Sequence, residues 1–264
     1  MEILGLYKPI IGMIHIQALP GTPKYNGSVK DIVSSAVKEA LAYQECGIDA
    51  LAIENMHDVP YLKKSAGHEI STLMSIIGYE IKNKTNLPTG MQILAGANIQ
   101  SLAASHSAGL DFIRTEGFVF SHIADEGTFD SDAGELLRYQ KQIGAGNIKI
   151  FTDIKKKHSS HSITNDTDII ETAHAAEFFL SDGVIITGSS TGKEADLSEI
   201  KNVKVTSKIP VLVGSGVNLD NLKNYFTAAD ALIIGSYFKK ENCWGNELDT
   251  DKIELFMKKV NQLR

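Results

Sequence analysis

A chain of 264 residues with a formal net charge of −6 and a pI near 5.8 is a poor match to a general nucleic-acid or membrane surface, both of which attract basic proteins. No apolar run approaches the roughly 20 residues that a bilayer span requires. The opening segment, Met1 to Pro9, lacks the basic start and cleavage site of a secretory signal, so a cytoplasmic location with no nucleic-acid or membrane partner is expected.

Lys8 to Ile16 reads as a first strand, whose period of two would put Ile11 and Met13 on the same face as His15. A Pro/Gly-rich loop follows, and Ser28 can cap a helix running to about Cys46. Cys46 and Cys243 are too few for a disulfide framework and read as reduced thiols. Asp49 to Glu54 is a second strand with Ala50, Ala52 and Glu54 on one face. A helix over His68 to Asn83 leads to a third strand, Pro88 to Leu94, with Gln92 near its end. Asn98 opens a helix that stops at Gly109, and Asp111 to Glu116 is the fourth strand, followed by a long loop through Asp125-Glu126-Gly127.

A helix over Asp132 to Ile143 precedes the fifth strand, Asn147 to Asp153, which enters the basic loop Lys155-Lys156-Lys157-His158. Alternation would aim Lys155 and Lys157 the same way, toward the end of the strands. Asp166 to Leu180 is helical, Gly183 to Thr187 is the sixth strand, and Gly188 to Gly192 is a loop. A helix starts near Leu197. Two short β-branched runs, Val211 to Val217 and Ala231 to Ser236, each break into Gly-Ser, as buried parallel strands do on entering a tight turn. Asp251 to Val260 closes the chain as an amphipathic helix.

Strand–helix alternation repeated about eight times over about 250 residues predicts one α/β domain, a single (β/α)₈ TIM barrel over residues 1–264. The Gly-x-Gly-x-x-Gly fingerprint that would favour an open dinucleotide-binding sheet is absent after the first strand. Polar residues or glycine fall at the strand ends: His15, Glu54, Gln92, Arg114 with Glu116, Asp153, Thr187, Ser215 and Ser236. Those C-terminal ends form the face on which barrel active sites are built.

The turns Gly214-Ser215-Gly216 and Gly235-Ser236 would present N–H groups and hydroxyls to a phosphate, as loops after strands 7 and 8 of barrels commonly do. Glu54 and Asp153 are the acid/base candidates, the bland alternative being pairing with Arg114 or Lys155 to order the rim. His15 can act as a general acid, donor or ligand, or pack as a core histidine. Asn55, Gln92, Arg114, Lys155, Lys157, Thr187 and Gly188 are candidates to bind the rest of the substrate, one lysine with Schiff-base chemistry as a weaker option. His15, Glu54, Asp153 and His158 form a weaker metal-ligand set; no cofactor is expected, a divalent metal being the alternative.

Several stretches together resemble the BtpA family, named for photosystem I biogenesis. They are Gly12-Met13-Ile14-His15, Leu19-Pro20-Gly21, Ile53-Glu54-Asn55 with Asp58, Leu94 to Asn98, Phe112 to Arg114, Asp153 to His158, Thr187-Gly188 to Gly192, Pro210 to Asn218, and Ile234-Gly235-Ser236. The resemblance implies a phosphate-binding TIM barrel and brings no established reaction. It departs at Asp125-Glu126-Gly127, where Asp-Gln-Gly is expected; the added negative charge counts against a phosphate role there. The expectation is an enzyme acting on a small phosphorylated metabolite, a sugar phosphate or nucleotide-like molecule, by acid/base chemistry, as a homo-oligomer. A metal-dependent hydrolase and a non-enzymatic assembly factor are the rivals.

Overall fold

A computed structural model describes all residues, Met1 to Arg264. It opens with a hairpin, β1 (Glu2–Ile3) and β2 (Leu6–Tyr7), turned by Leu4 and Gly5, both at positive φ. There follow β3 (Ile10–His15), α1 (Val29–Glu45), β4 (Ala50–Glu54), α2 (His68–Thr85), β5 (Thr89–Gln92), α3 (Asn98–Ala108) and β6 (Phe112–Thr115). The long loop expected after β6 carries β7 (His122–Ala124) and β8 (Gly127–Phe129), then come α4 (Ala133–Gln142), β9 (Lys149–Ile154) and β10 (Ser159–Ser160). The chain ends with α5 (Ile169–Phe178), β11 (Gly183–Ile186), α6 (Leu197–Thr206), β12 (Val211–Val213), α7 (Leu222–Ala228), β13 (Ala231–Ile234) and α8 (Thr250–Leu263).

β3, β4, β5, β6, β9, β11, β12 and β13 form a closed parallel barrel, β13 pairing back onto β3 with Ile233 opposite Ile11. The fold is therefore the single-barrel architecture read from the alternation of strands and helices. Helix starts follow local chemistry: Ser28 Oγ accepts from the Asp31 N–H ahead of α1, and Asp168 with Glu171 forms a capping box ahead of α5.

Ile11, Met13, Ala50, Ala52, Phe112, Phe151, Ile185, Leu212, Ala231 and Ile233 fill the barrel, and Ile3 of the hairpin joins this cluster, tying the N-terminal hairpin to the interior. Small residues make room for large ones. A Cβ at Gly90 would lie 2.2 Å from the Phe112 ring, and one at Gly183 would lie 2.9 Å from the Phe151 ring. Each buried apolar side chain of this size contributes about 1.5–3 kcal/mol. The period of two then fixes the layer above: one step past Met13, Ala52, Gly90, Phe112, Phe151, Ile185, Leu212 and Ile233 lie His15, Glu54, Gln92, Arg114, Asp153, Thr187, Gly214 and Gly235.

Candidate active site

That upper ring opens on one side into a cavity of about 280 Å³. Met13, Ile233 and Ile234 supply apolar wall, and the polar lining includes His15, Glu54, Arg114 and Lys157 together with Gly214, Ser215, Gly216, Gly235 and Ser236. The two glycine-serine corners and the Glu54 carboxylate thus border one space. The amide N–H groups of Ser215, Gly216, Val217 and Gly235 are bonded to no acceptor of the chain. Uncommitted amides beside the Arg114 guanidinium make an electropositive recess suited to an oxyanion.

Glycine serves more than ligand access here. Gly216 sits at φ +70°, and Cβ atoms at Gly188 or Gly216 would lie 2.3 Å and 2.4 Å from the Lys193 carbonyl oxygen. Both glycines therefore let the Lys193-Glu194 backbone settle against the corner. Ser215 Oγ donates to that same carbonyl at 2.7 Å, so its hydroxyl holds the loop in place. At Gly214 a Cβ would lie 2.7 Å from Ile185 Cγ2, so glycine lets the corner settle on the packed layer below, next to Arg114.

Arg114 donates to Asp153 through Nε at 2.9 Å and Nη2 at 2.8 Å, both side chains being buried. Burial alone would depress the Arg114 pKa; the Asp153 carboxylate outweighs it and raises the value. Asp153 is committed to this fork rather than lining the cavity, which is the rim-pairing arrangement. Glu54 makes no such pair. Its Oε2 lies 3.9 Å from His15 Nε2, and burial raises its pKa, with Arg114 and Lys157 opposing.

His15 Nδ1 lies 3.0 Å from the Trp244 carbonyl oxygen. A carbonyl only accepts, so Nδ1 carries the proton and the Nε2 lone pair faces Glu54. Burial, reinforced by the Lys239 charge, pushes the His15 pKa down to about 3, so the ring is neutral at physiological pH. The Trp244 ring meets His57 edge-on at 4.8 Å, fixing the loop that supplies this carbonyl.

The basic loop splits three ways. Lys155 adopts φ +46°, which breaks the expected alternation, and its Nζ donates to the Thr164 carbonyl at 3.0 Å, away from the cavity. Lys156 is buried and pairs with Glu116 at 3.0 Å. Lys157 alone enters the cavity, its backbone N–H donating to Thr187 Oγ1 at 3.3 Å. Burial, and then Arg114, lowers its pKa.

Other candidates serve the scaffold. Asn55 donates to Asp58 at 2.8 Å and accepts from the Leu94 N–H at 2.7 Å. Gln92 donates to Glu116 at 3.2 Å. His158 faces Thr191, and His15, Glu54, Asp153 and His158 do not gather into a group that could hold a metal ion. Met56, Asp220, Tyr237 and Asn242 also line the cavity, although no motif or strand end marks them in the sequence. Trp244, whose carbonyl meets His15, is the chain's one tryptophan, a signal that composition alone carries.

The BtpA family model matches residues 6–262. The chain belongs to the BtpA family. An uncharacterized mitochondrial protein of Caenorhabditis elegans is 46% identical over 269 residues, covering 100% of this chain and 97% of its own length. That relative's description gives the expected cytoplasmic location no support; no helix of this BtpA-family chain is long and apolar enough to cross a membrane. Among solved structures, thiamine phosphate pyrophosphorylase from Pyrococcus furiosus superposes with a TM-score of 0.57 at 15% identity, covering 97% of this chain and 96% of that one. Orotidine 5′-phosphate decarboxylase from Pyrococcus horikoshii gives 0.57 at 13% identity, covering 95% and 99%. At such identities these structures share the barrel with the BtpA-family chain and nothing finer.

Proposed function

We propose that this BtpA-family barrel is an enzyme that anchors a small phosphorylated metabolite by its phosphate and moves protons at the carbon skeleton. One observation carries the reading. A single cavity has uncommitted amides of Ser215, Gly216 and Gly235 on one side and Glu54 with the His15 Nε2 lone pair on the other. The phosphate rests on those amides and Ser236, beside Gly214. Glu54 is the proton carrier, His15 accepts a hydrogen bond or proton at Nε2, and Arg114, held flat by Asp153, orients the substrate's polar groups. Barrels of this shape that act on phosphate-bearing molecules, including the pyrophosphorylase and the decarboxylase named above, support the same class. Isomerisation, aldol-type cleavage and glycosidic-bond cleavage each use a proton donor and acceptor over an anchored phosphate.

Thermal melting with inorganic phosphate and with ribose 5-phosphate tests the anchor. Both should raise the Tm of the wild type, and Ser236→Asp, which sets a carboxylate beside the corner amides, should weaken the apparent affinity at least about tenfold, or 1.4 kcal/mol. An unchanged response in Ser236→Asp overturns the assignment.

A further inference from the structure

Three consecutive lysines differ in what their ammonium groups touch. Lys155 Nζ donates to the Thr164 carbonyl and Lys156 Nζ to Glu116 Oε2. Farther round the barrel Lys239 is paired with Glu39. Lys157 has neither kind of partner: no carboxylate oxygen lies within 4 Å of its Nζ, and no acceptor of the chain bonds it, although its side chain lines the cavity with Glu54 and Arg114. An ammonium group left unpaired in a recess that also holds Arg114 is electrostatically disfavoured, whereas a neutral amine there is a nucleophile.

We propose that Lys157 forms a covalent imine with the carbonyl group of its substrate, which makes the substrate class a ketose or aldose phosphate in its open-chain form. The proposal rests on the phosphate-anchored reading above and adds the reacting group to it. The corner amides fix the phosphate on the β12–β13 side, and the chain of a three- to five-carbon sugar phosphate then lies across the cavity toward Glu54 and Lys157.

The Lys157 nitrogen lone pair attacks the carbonyl carbon and forms the C–N bond, the carbonyl electron pair passing to oxygen. A proton moves from nitrogen to that oxygen by way of Glu54, giving the neutral carbinolamine. Glu54 in its carboxylic-acid form then protonates the hydroxyl, which leaves as water while the nitrogen lone pair closes the C=N bond. The products are a protonated imine on Lys157, one water and the Glu54 carboxylate, so atoms and charge balance. Burial favours the reactive form of both partners, raising the Glu54 pKa and lowering that of Lys157. The resulting carboxylate faces an iminium carbon whose neighbouring C–H is acidified, which is the position a base for isomerisation or carbon–carbon cleavage needs.

The test is reductive trapping on the full chain. Wild-type protein is treated with sodium borohydride in the presence of dihydroxyacetone phosphate or ribose 5-phosphate, and the adduct is mapped by peptide mass spectrometry. A stoichiometric adduct on Lys157 with at least one of the two probes is expected. Lys157→Arg, which is cationic but forms no imine, should lose it while retaining the Tm rise with inorganic phosphate. Glu54→Gln should slow trapping about tenfold and leave the phosphate response intact. No Lys157 adduct in a wild type that still responds to phosphate overturns the covalent step alone; no adduct and no phosphate response overturns the anchored reading with it.

Discussion

The mouth of this barrel has a covered side and an open side, and the same residue types behave differently on each. Over β5, β6 and β9 the antiparallel sheet of β7, β8 and β10 brings Phe129 into the interior, stacked on His122 at 5.1 Å. Beneath it Lys156 is paired with Glu116 and lies 5.2 Å from the Phe129 ring centroid, and Asn98 ties Asp132 to the Glu116 carbonyl. The Lys156, Glu116 and Asp132 charges there are paired, while His122 Nε2 and Glu126 Oε2 are buried without a partner. Over β12, β13, β3 and β4 no sheet intervenes, and Lys157, Glu54 and the corner amides face a cavity instead. Lys156 and Lys157 are neighbours in sequence yet belong to opposite sides. The paired Lys156 is part of the scaffold, whereas the unpaired Lys157 faces the cavity in which the proposed substrate would supply its contact.

Removing one partner on the covered side should produce the largest effect. Lys156→Met strands the Glu116 carboxylate in a buried setting and is expected to destabilise the fold by about 3–5 kcal/mol. Urea unfolding measures this. The Tm increment given by phosphate should persist in the variant, because the corner amides lie on the other side. A stability loss under 1 kcal/mol, by the same reasoning, would erase the contrast between the two sides.

His15 tests the open side through pH. Its folded-state pKa is lowered from 6.5 to about 3, so between those values the unfolded chain holds the proton and the folded one does not. Stability from this group is therefore complete above pH 6.5 and drains away as pH falls toward 3, with about 3 kcal/mol of it gone by pH 4. His15→Gln, which can keep a donor on the Trp244 carbonyl, should show a flatter decline between pH 6.5 and 4 than the wild type. Parallel wild-type and variant curves would mean that His15 titrates normally.

The barrel and its upper ring were legible in the sequence because a period of two along buried strands decides both the packed layer and the layer above it. His15, Glu54 and Arg114 follow from that rule alone. Pairing was not legible. That Asp153 rather than Glu54 takes the Arg114 fork depends on β6 and β9 being neighbours in register, Arg114 opposite Phe151, which spacing along one strand does not encode. The covering sheet escaped notice because strands of two or three residues carry no periodicity. Lys155 was misdirected by a positive φ in a non-glycine residue, a conformation that sequence rarely signals. Ser215 looked like a phosphate donor, yet its hydroxyl binds the Lys193 carbonyl, a partner brought in by a loop more than twenty residues away in the chain.

Glu54 gives the smallest and most pointed effect. Its pKa is raised by burial, so holding it as a carboxylate in the folded state lowers stability as pH climbs above 4.5. The sign is opposite to that of His15. Below the unfolded value the protonated acid and a glutamine are nearly isosteric, and Glu54→Gln should melt like the wild type at pH 4. At pH 7.5 the variant should be the more stable one, because it carries no buried carboxylate. Asp153→Asn on the same ring should do the reverse at pH 7.5 and destabilise, since it removes one oxygen from the Arg114 fork and the charge that the buried guanidinium needs. If Glu54→Gln also lost stability at neutral pH, Glu54 would behave as a structural partner like Asp153 and not as a proton carrier held ready for a ligand.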